Sequence, residues 1–320
     1  MLLDFLFIVI GVALVLWGAD RLTEGASGLA RRMNVPEIVI GLTIVAAGTS
    51  APELFVSLVS ALKGTPDMAV GNVVGSNIFN ALLIVGCAAM VAPMVIAKST
   101  VKKDIPFAVG ASVLLMIACI DSFKADISGN TISRMDGLML LAGFAVFMFY
   151  TFRVATKKGL KGQQEEAPAK QMNTWKGVLF VVIGLACLIF GSNLFVDSAS
   201  SVARALNISE GVIGLTIVAG GTSLPELATS VVAARKGQSA IAIGNVIGSN
   251  VFNVLLILGI TATISPMQIQ GITMVDLSVM MLSVLMVWGF SYTKLTVARW
   301  EGALLALVFA GYMWWLWQSL

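Results

Sequence analysis

The sequence predicts an all-α integral membrane protein of ten transmembrane helices, arranged as two inverted five-helix repeats. Three observations carry that expectation. The 320 residues are 58% hydrophobic and only 12% charged, with a mean hydropathy of +0.94, a composition suited to lipid and not to water. Ten long apolar stretches alternate with charged or Gly/Pro-rich turns. Finally, a long block in the first half of the chain returns almost unchanged in the second.

Taken in order, the apolar stretches begin near residues 2, 37, 69, 104, 133, 174, 210, 240, 272 and 297. At about 20 to 22 residues per crossing they consume roughly 220 residues, so the membrane part itself must carry the function. The first stretch holds Asp4, has no Lys or Arg ahead of its apolar core and is followed by no small-residue cleavage site, which reads as a retained helix and not a signal peptide. The one polar segment, at 155–173, has the composition of a flexible linker. It divides the chain into a first five-helix repeat, 1–154, and a second, 174–320.

The basic residues test this layout. The odd-numbered connections hold Arg21, Arg31, Arg32, Lys98, Lys102, Lys103, the linker cluster, Arg235, Lys236, Lys294 and Arg299. The even-numbered ones hold only Lys63, Lys124, Arg134 and Arg204, so roughly 16 of the 20 fall on one side. The positive-inside rule then makes the linker cytoplasmic and both termini extracytoplasmic, in a cell membrane.

The repeat has a spacing of 173 residues. GLTIVAAGTSAPELFVSLVSALKG at 41–64 returns as GLTIVAGGTSLPELATSVVAARKG at 214–237, and AVGNVVGSNIFNALLIVG at 69–86 as AIGNVIGSNVFNVLLILG at 242–259. Roughly 30 of 46 positions are identical, which marks a duplication. Five crossings per half is an odd number, so the copies enter the membrane in opposite directions, an architecture of secondary transporters.

Composition also excludes several chemistries. There is no histidine, which removes imidazole zinc sites, hydrolases with a His base and His proton switches. The three cysteines, Cys87, Cys119 and Cys187, sit singly in apolar runs and suit packing better than a disulfide or a metal cluster. A net charge of +3 is too small to imply nucleic acid. No cofactor, protein partner or enzymatic activity is expected.

Of the 17 acidic residues, 15 fall in loops or near helix ends, whereas Glu53 and Glu226 lie midway through the second and seventh crossings. A charge at that depth costs about 3 kcal/mol or more. With no Lys or Arg nearby in sequence, a bound divalent cation is the natural compensation for two facing carboxylates. Each glutamate closes a broken-helix pattern, GTSAPE at 48–53 or GTSLPE at 221–226, tolerable at membrane depth only beside protein or a watery cavity. Ser50 to Glu53 and Ser223 to Glu226 also fit the S-x-x-E capping box, with Pro52 and Pro225 in the first turn. Capping and ion binding are compatible, and Thr49, Ser50, Thr222 and Ser223 supply hard oxygens beside the carboxylates.

The second motif, GNVVGSNIFN at 71–80 and GNVIGSNVFN at 244–253, places Ser76 four residues before Asn80 and Ser249 four before Asn253, on one helical face. The glycines Gly71, Gly75, Gly244 and Gly248 read as packing seams. Buried amides need partners, and Asn80 and Asn253 carry oxygens that suit Na⁺ or Ca²⁺; interhelical hydrogen bonding is the alternative.

Paired GTSxPE and GNxxGSNxFN segments in opposed halves closely resemble the alpha repeats of the sodium/calcium exchanger family, within the Ca²⁺/cation antiporters. The resemblance covers both repeats and the topology, and the doubled motif is highly specific. It implies Ca²⁺ binding by Glu53 and Glu226, with Thr49, Ser50, Thr222, Ser223, Ser76 and Ser249 as the family's neighbouring hydroxyls. It further implies Na⁺ contacts from the backbone carbonyls of Ala46 and Ala219. The motif ends on Asn80 and on Asn253, where several exchangers carry Asp in the second copy. The linker is too short for the family's regulatory calcium-binding domains.

The expected activity is therefore Ca²⁺/Na⁺ antiport by alternating access, with lipid, Ca²⁺ and Na⁺ as the only partners and electrogenic Ca²⁺ export as its direction. A Ca²⁺/H⁺ antiporter and a K⁺-dependent cation/Ca²⁺ exchanger are the nearest alternatives. A channel would place symmetric subunits around a pore, and an intramembrane aspartyl protease would need a mid-membrane Asp pair that the sequence lacks.

Overall fold

A computed structural model describes residues 2–119, 130–159, 172–206, 219–269 and 271–319. Helix α1 (Leu2–Arg32) has 31 residues, about 46 Å at 1.5 Å per residue against a hydrocarbon core of about 30 Å. Apart from Asp4, its charged residues all lie from Asp20 onward. The next crossing is broken: α2 (Glu37–Ile40), a π turn over Gly41–Val45 and α3 (Ala46–Thr49) lead to Ser50, where the axis bends by 46° into α4 (Ala51–Leu62). The third is α5 (Pro66–Ile78), a π turn over Phe79–Ile84 and α6 (Val85–Val91). A further π turn, Thr100–Asp104, opens α7 (Ile105–Cys119), and α8 (Arg134–Gly159) ends the first half.

The second half follows the same plan, from α9 (Thr174–Ala205) through α10 (Ala219–Thr222) and α11 (Leu224–Arg235). Then come α12 (Ser239–Val251), a π turn over Phe252–Leu258, α13 (Gly259–Ile264), α14 (Met274–Tyr292) and α15 (Arg299–Ser319). Helices thus start within a few residues of the expected positions. The expected start near 210 lies outside the described residues, as does most of the polar segment, whose first residues continue α8 to Gly159. Among the described residues, six helices are long and apolar enough to cross a membrane, and the bent pair around Ser50 makes a seventh.

Burial separates the helices into centre and periphery. The most apolar 18 residues within Ser239–Ile264 are 94% buried and those within Pro66–Val91 72%, whereas those of α1 and α9 are only 22% and 28% buried. The outer pair is held by glycines at every seventh position. A Cβ on Gly11 would lie 2.8 Å from the Gly191 carbonyl oxygen, one on Gly18 2.8 Å from that of Gly184, and one on Gly25 2.7 Å from that of Gly177. Only glycine permits such an approach. Because the partner's number falls as the α1 number rises, the two helices run antiparallel.

The expectation of an all-α chain needs one correction. The fold is predominantly helical, but β1 (Met94–Val95) pairs antiparallel with β4 (Thr296–Val297), and β2 (Asn130–Ile132) with β3 (Met267–Ile269). Each short pair joins a connection of one half to a connection of the other and satisfies backbone groups that the helix ends leave open. Cys87, Cys119 and Cys187 form no disulfide among the described residues.

Candidate ion-binding site

Glu53 and Glu226 lie in the first turns of α4 and α11, each 1% exposed. Pro52 and Pro225 stand at the helix starts; having no N–H, they remove the donors that a continuous helix would supply to the carbonyls of Gly48 and Gly221. The chain breaks there for that reason. The S-x-x-E spacing does not close as a capping box, since Ser50 and Ser223 occupy the N-cap positions without a side-chain cap bond. Their hydroxyls cross to the other half instead. Ser50 Oγ donates to Glu226 Oε1 at 3.0 Å, and Ser223 Oγ to Glu53 Oε1 at 3.2 Å.

The remaining sequence-derived candidates gather around this crossing. Ser76, in α5, lies 3.3 Å from Ser223 Oγ. The Thr49 hydroxyl is 3.1 Å from both the Val45 carbonyl and Asn245 Oδ1. Thr222 precedes Ser223 directly and closes α10, which Ala219 opens. The Ala46 carbonyl accepts the Ser50 N–H at 3.0 Å, so one of its lone pairs is engaged within the helix. Ser249 is fully buried in α12. Asn80 and Asn253 each take the second position of a π turn, each 1% exposed. Such turns shift the backbone register and recur at functional sites. The sequence reading, which continued a regular helix from Ser76 to Asn80, contained no sign of them.

Several buried oxygens here have no hydrogen-bond partner among the described residues: Glu53 Oε2, Glu226 Oε2, Asn80 Oδ1, Asn253 Oδ1 and Ser249 Oγ. Buried polar atoms are seldom left in that condition. All five are hard oxygen donors, the kind that Na⁺ and Ca²⁺ take. No Lys or Arg lies within ion-pair reach of either carboxylate among the described residues.

Four more asparagines, which sequence reasoning passed over, support this centre. Asn72 Nδ2 donates to the Glu53 carbonyl at 3.2 Å and to Ser57 Oγ at 3.0 Å. Asn245 Nδ2 does the same for the Glu226 carbonyl at 3.3 Å and Ser230 Oγ at 3.0 Å. Asn77 and Asn250 bond each other's backbone carbonyls across the two halves. Their signal in the sequence was recurrence at the 173-residue spacing inside apolar helices. Gly244 and Gly248 act as the expected seam, where added Cβ atoms would each lie 2.9 Å from a carbonyl oxygen, of Ile38 and of Leu42, but the first-half pair does not: a Cβ on Gly71 would meet only the Ile272 side chain, at 3.4 Å, and one on Gly75 nothing within 4 Å.

The family model described as "Sodium/calcium exchanger protein" matches residues 3–153 and again 176–318. The inner membrane protein YrbG of Escherichia coli is 37% identical over 88% of this chain and 86% of its own. The sodium/calcium exchanger MaX1 of Methanosarcina acetivorans is 30% identical over 97% of both chains. Among solved structures, the sodium-calcium exchanger NCX_Mj soaked with 2.5 mM Na⁺ and 0.1 mM Ca²⁺ superposes with a TM-score of 0.83 at 29% identity, covering 98% of each chain.

Proposed function

The chain belongs to the sodium/calcium exchanger family, and from that premise we propose that it exchanges Ca²⁺ for Na⁺ by alternating access at the site built on Glu53 and Glu226. The family consists of exchangers, not enzymes, and the apolar helices make this member a multi-pass membrane protein. The observation that carries the proposal is the pair of buried carboxylates, each with one oxygen unpartnered and neither with a basic neighbour among the described residues. Such a pair is costly when empty and is neutralised by one divalent ion.

The ten-helix reading as two inverted repeats belongs to the same proposal. It is supported by the antiparallel packing of α1 and α9, the first helices of the two halves, and by hydrogen bonds that recur reciprocally between the motifs. Opposed copies around one site give two equivalent exposures, so exchanging their conformations moves the opening from one membrane face to the other. Antiport then follows from charge, because the empty site is too unfavourable to reorient while the filled one is not.

With Asn at both 80 and 253, the fixed charge of the centre is −2 when both glutamates are ionised. One Ca²⁺ cancels it, whereas the multiple Na⁺ ions that the family resemblance implies would overshoot it, so net charge would move in the Na⁺ half of the cycle. An inside-negative membrane would draw Na⁺ inward and drive Ca²⁺ out of the cytoplasm, given a cytoplasmic linker and extracytoplasmic termini in a cell membrane. The test is uptake of radiolabelled Ca²⁺ by proteoliposomes under outward Na⁺, K⁺ or H⁺ gradients in turn. The proposal requires uptake with Na⁺ alone; uptake that needs K⁺ or H⁺ instead selects the corresponding alternative, and uptake without any gradient selects a channel.

A further inference from the structure

We propose that Asn77 and Asn250 are positioning residues that set the polarity of the ion site, by holding the amides of Asn253 and Asn80 with their oxygens turned toward the ion. The inference rests on reading the centre as a cation site. An asparagine amide has nearly the same shape when flipped, but the flip replaces an acceptor by two N–H donors. At a cation, that exchange turns a ligand into a repulsive group. A site that uses amide ligands therefore needs something that fixes the flip.

A backbone carbonyl can do so, because it only accepts. Asn77 Nδ2 donates to the Asn250 carbonyl at 3.2 Å, which directs Asn77 Oδ1 the other way. There it accepts from Asn253 Nδ2 at 3.1 Å, and Asn253 Oδ1 is left buried and without a partner among the described residues. The mirror chain runs from Asn250 Nδ2 to the Asn77 carbonyl at 3.5 Å and from Asn80 Nδ2 to Asn250 Oδ1 at 3.0 Å, leaving Asn80 Oδ1 unpartnered. Flipping Asn77 would set two acceptors against each other and remove the acceptor for Asn253. If the four amides served only to join helices, the oxygens of Asn80 and Asn253 would be expected to find partners as their nitrogens do.

A carboxylate has an oxygen at both ends and needs no orienting, and this gives the test. Equilibrium binding of radiolabelled Ca²⁺ to the purified full chain, at alkaline pH without Na⁺, is compared for Asn77→Ala, Asn253→Asp and the double variant. Asn77→Ala should weaken binding about 10- to 100-fold, as loss of a partner that orients a metal ligand does. In the Asn253→Asp background the same alanine should change binding only slightly. Equal losses in both backgrounds would mean a merely structural asparagine and overturn the proposal. The mirror cycle, Asn250→Ala with Asn80→Asp, must give the same pattern, and it decides the matter if Asn77→Ala does not fold. If neither alanine variant folds, the network is structural and the proposal fails. Asn253→Ala separates the two levels: if it leaves both Ca²⁺ and Na⁺ affinity unchanged, Asn253 is not a ligand and the proposal fails, whereas the carboxylate site itself fails only if Glu53→Gln and Glu226→Gln also bind both ions normally.

Discussion

Ser50 hydrogen-bonds Glu226, a residue 176 positions away in the opposite half, and not Glu53 three positions along its own helix. Ser223 reciprocates with Glu53. Each carboxylate is thus held by the break in the other repeat, so a movement of one half against the other acts on both glutamates together. In the proposed alternating-access cycle, that linkage would be a physical route to ion release.

Glu53→Gln and Glu226→Gln should each abolish Ca²⁺ transport while the protein stays monodisperse in detergent. Removing one member of a buried, charge-compensated group costs about 3–5 kcal/mol, which corresponds to about two to nearly four orders of magnitude in Ca²⁺ affinity. Near-normal exchange by either variant would remove the glutamates from the site.

Alanine at Thr49, Ser50, Thr222 or Ser223 should weaken the Na⁺ dependence more than Ca²⁺ binding. Neutral hydroxyls suit small monovalent sites beside the two carboxylates, whereas Ca²⁺ affinity depends chiefly on ligand charge. Separate Na⁺ and Ca²⁺ titrations check this, and equal losses for both ions would indicate general collapse of the cavity.

The motifs were legible because they occur twice. Glu53 and Glu226 stood out as the only mid-crossing carboxylates, and the 173-residue spacing placed Thr, Ser and Asn beside both. The exchange of partners between Ser50 and Ser223 was not legible, because the S-x-x-E spacing equally describes a local cap and only tertiary packing decides between them. The π turns at Phe79–Ile84 and Phe252–Leu258 were hidden for another reason. A shift of backbone register changes no side chain, so an apolar run reads the same with or without it. The strand pairs depend on connections from opposite halves meeting, which no local pattern encodes.

Asn72→Ala and Asn245→Ala should destabilise the fold around the carboxylates, since each amide holds both a glutamate carbonyl and a buried serine. Leaving such groups unsatisfied costs about 1–3 kcal/mol each. A lowered thermal unfolding midpoint in detergent, partly restored by saturating Ca²⁺, is the expected result; an unchanged midpoint would show that these bonds contribute nothing to the site's rigidity.

Gly18→Leu should force α1 away from α9, because even a Cβ there meets the Gly184 carbonyl oxygen at 2.8 Å. Overpacking of this kind costs about 1–3 kcal/mol. Thermal unfolding reads the effect, and a variant as stable as the parent would contradict the close glycine seam.

Asn253→Asp should make Ca²⁺ uptake more pH-sensitive by adding to the centre a third carboxylate that must be protonated or paired. Uptake rates across a pH series check this against the unsubstituted chain, and parallel profiles would place residue 253 outside the ions' field.

The most direct test of coupled Ca²⁺/Na⁺ exchange at a doubly charged site is Ca²⁺ uptake into Na⁺-loaded proteoliposomes with the voltage clamped by K⁺ and valinomycin. Each elementary charge crossing the membrane gains or loses about 2.3 kcal/mol per 100 mV. Uptake should require internal Na⁺, accelerate when the interior is made positive, and vanish in Glu53→Gln. A rate that ignores both Na⁺ and voltage and follows an imposed pH gradient would contradict the account.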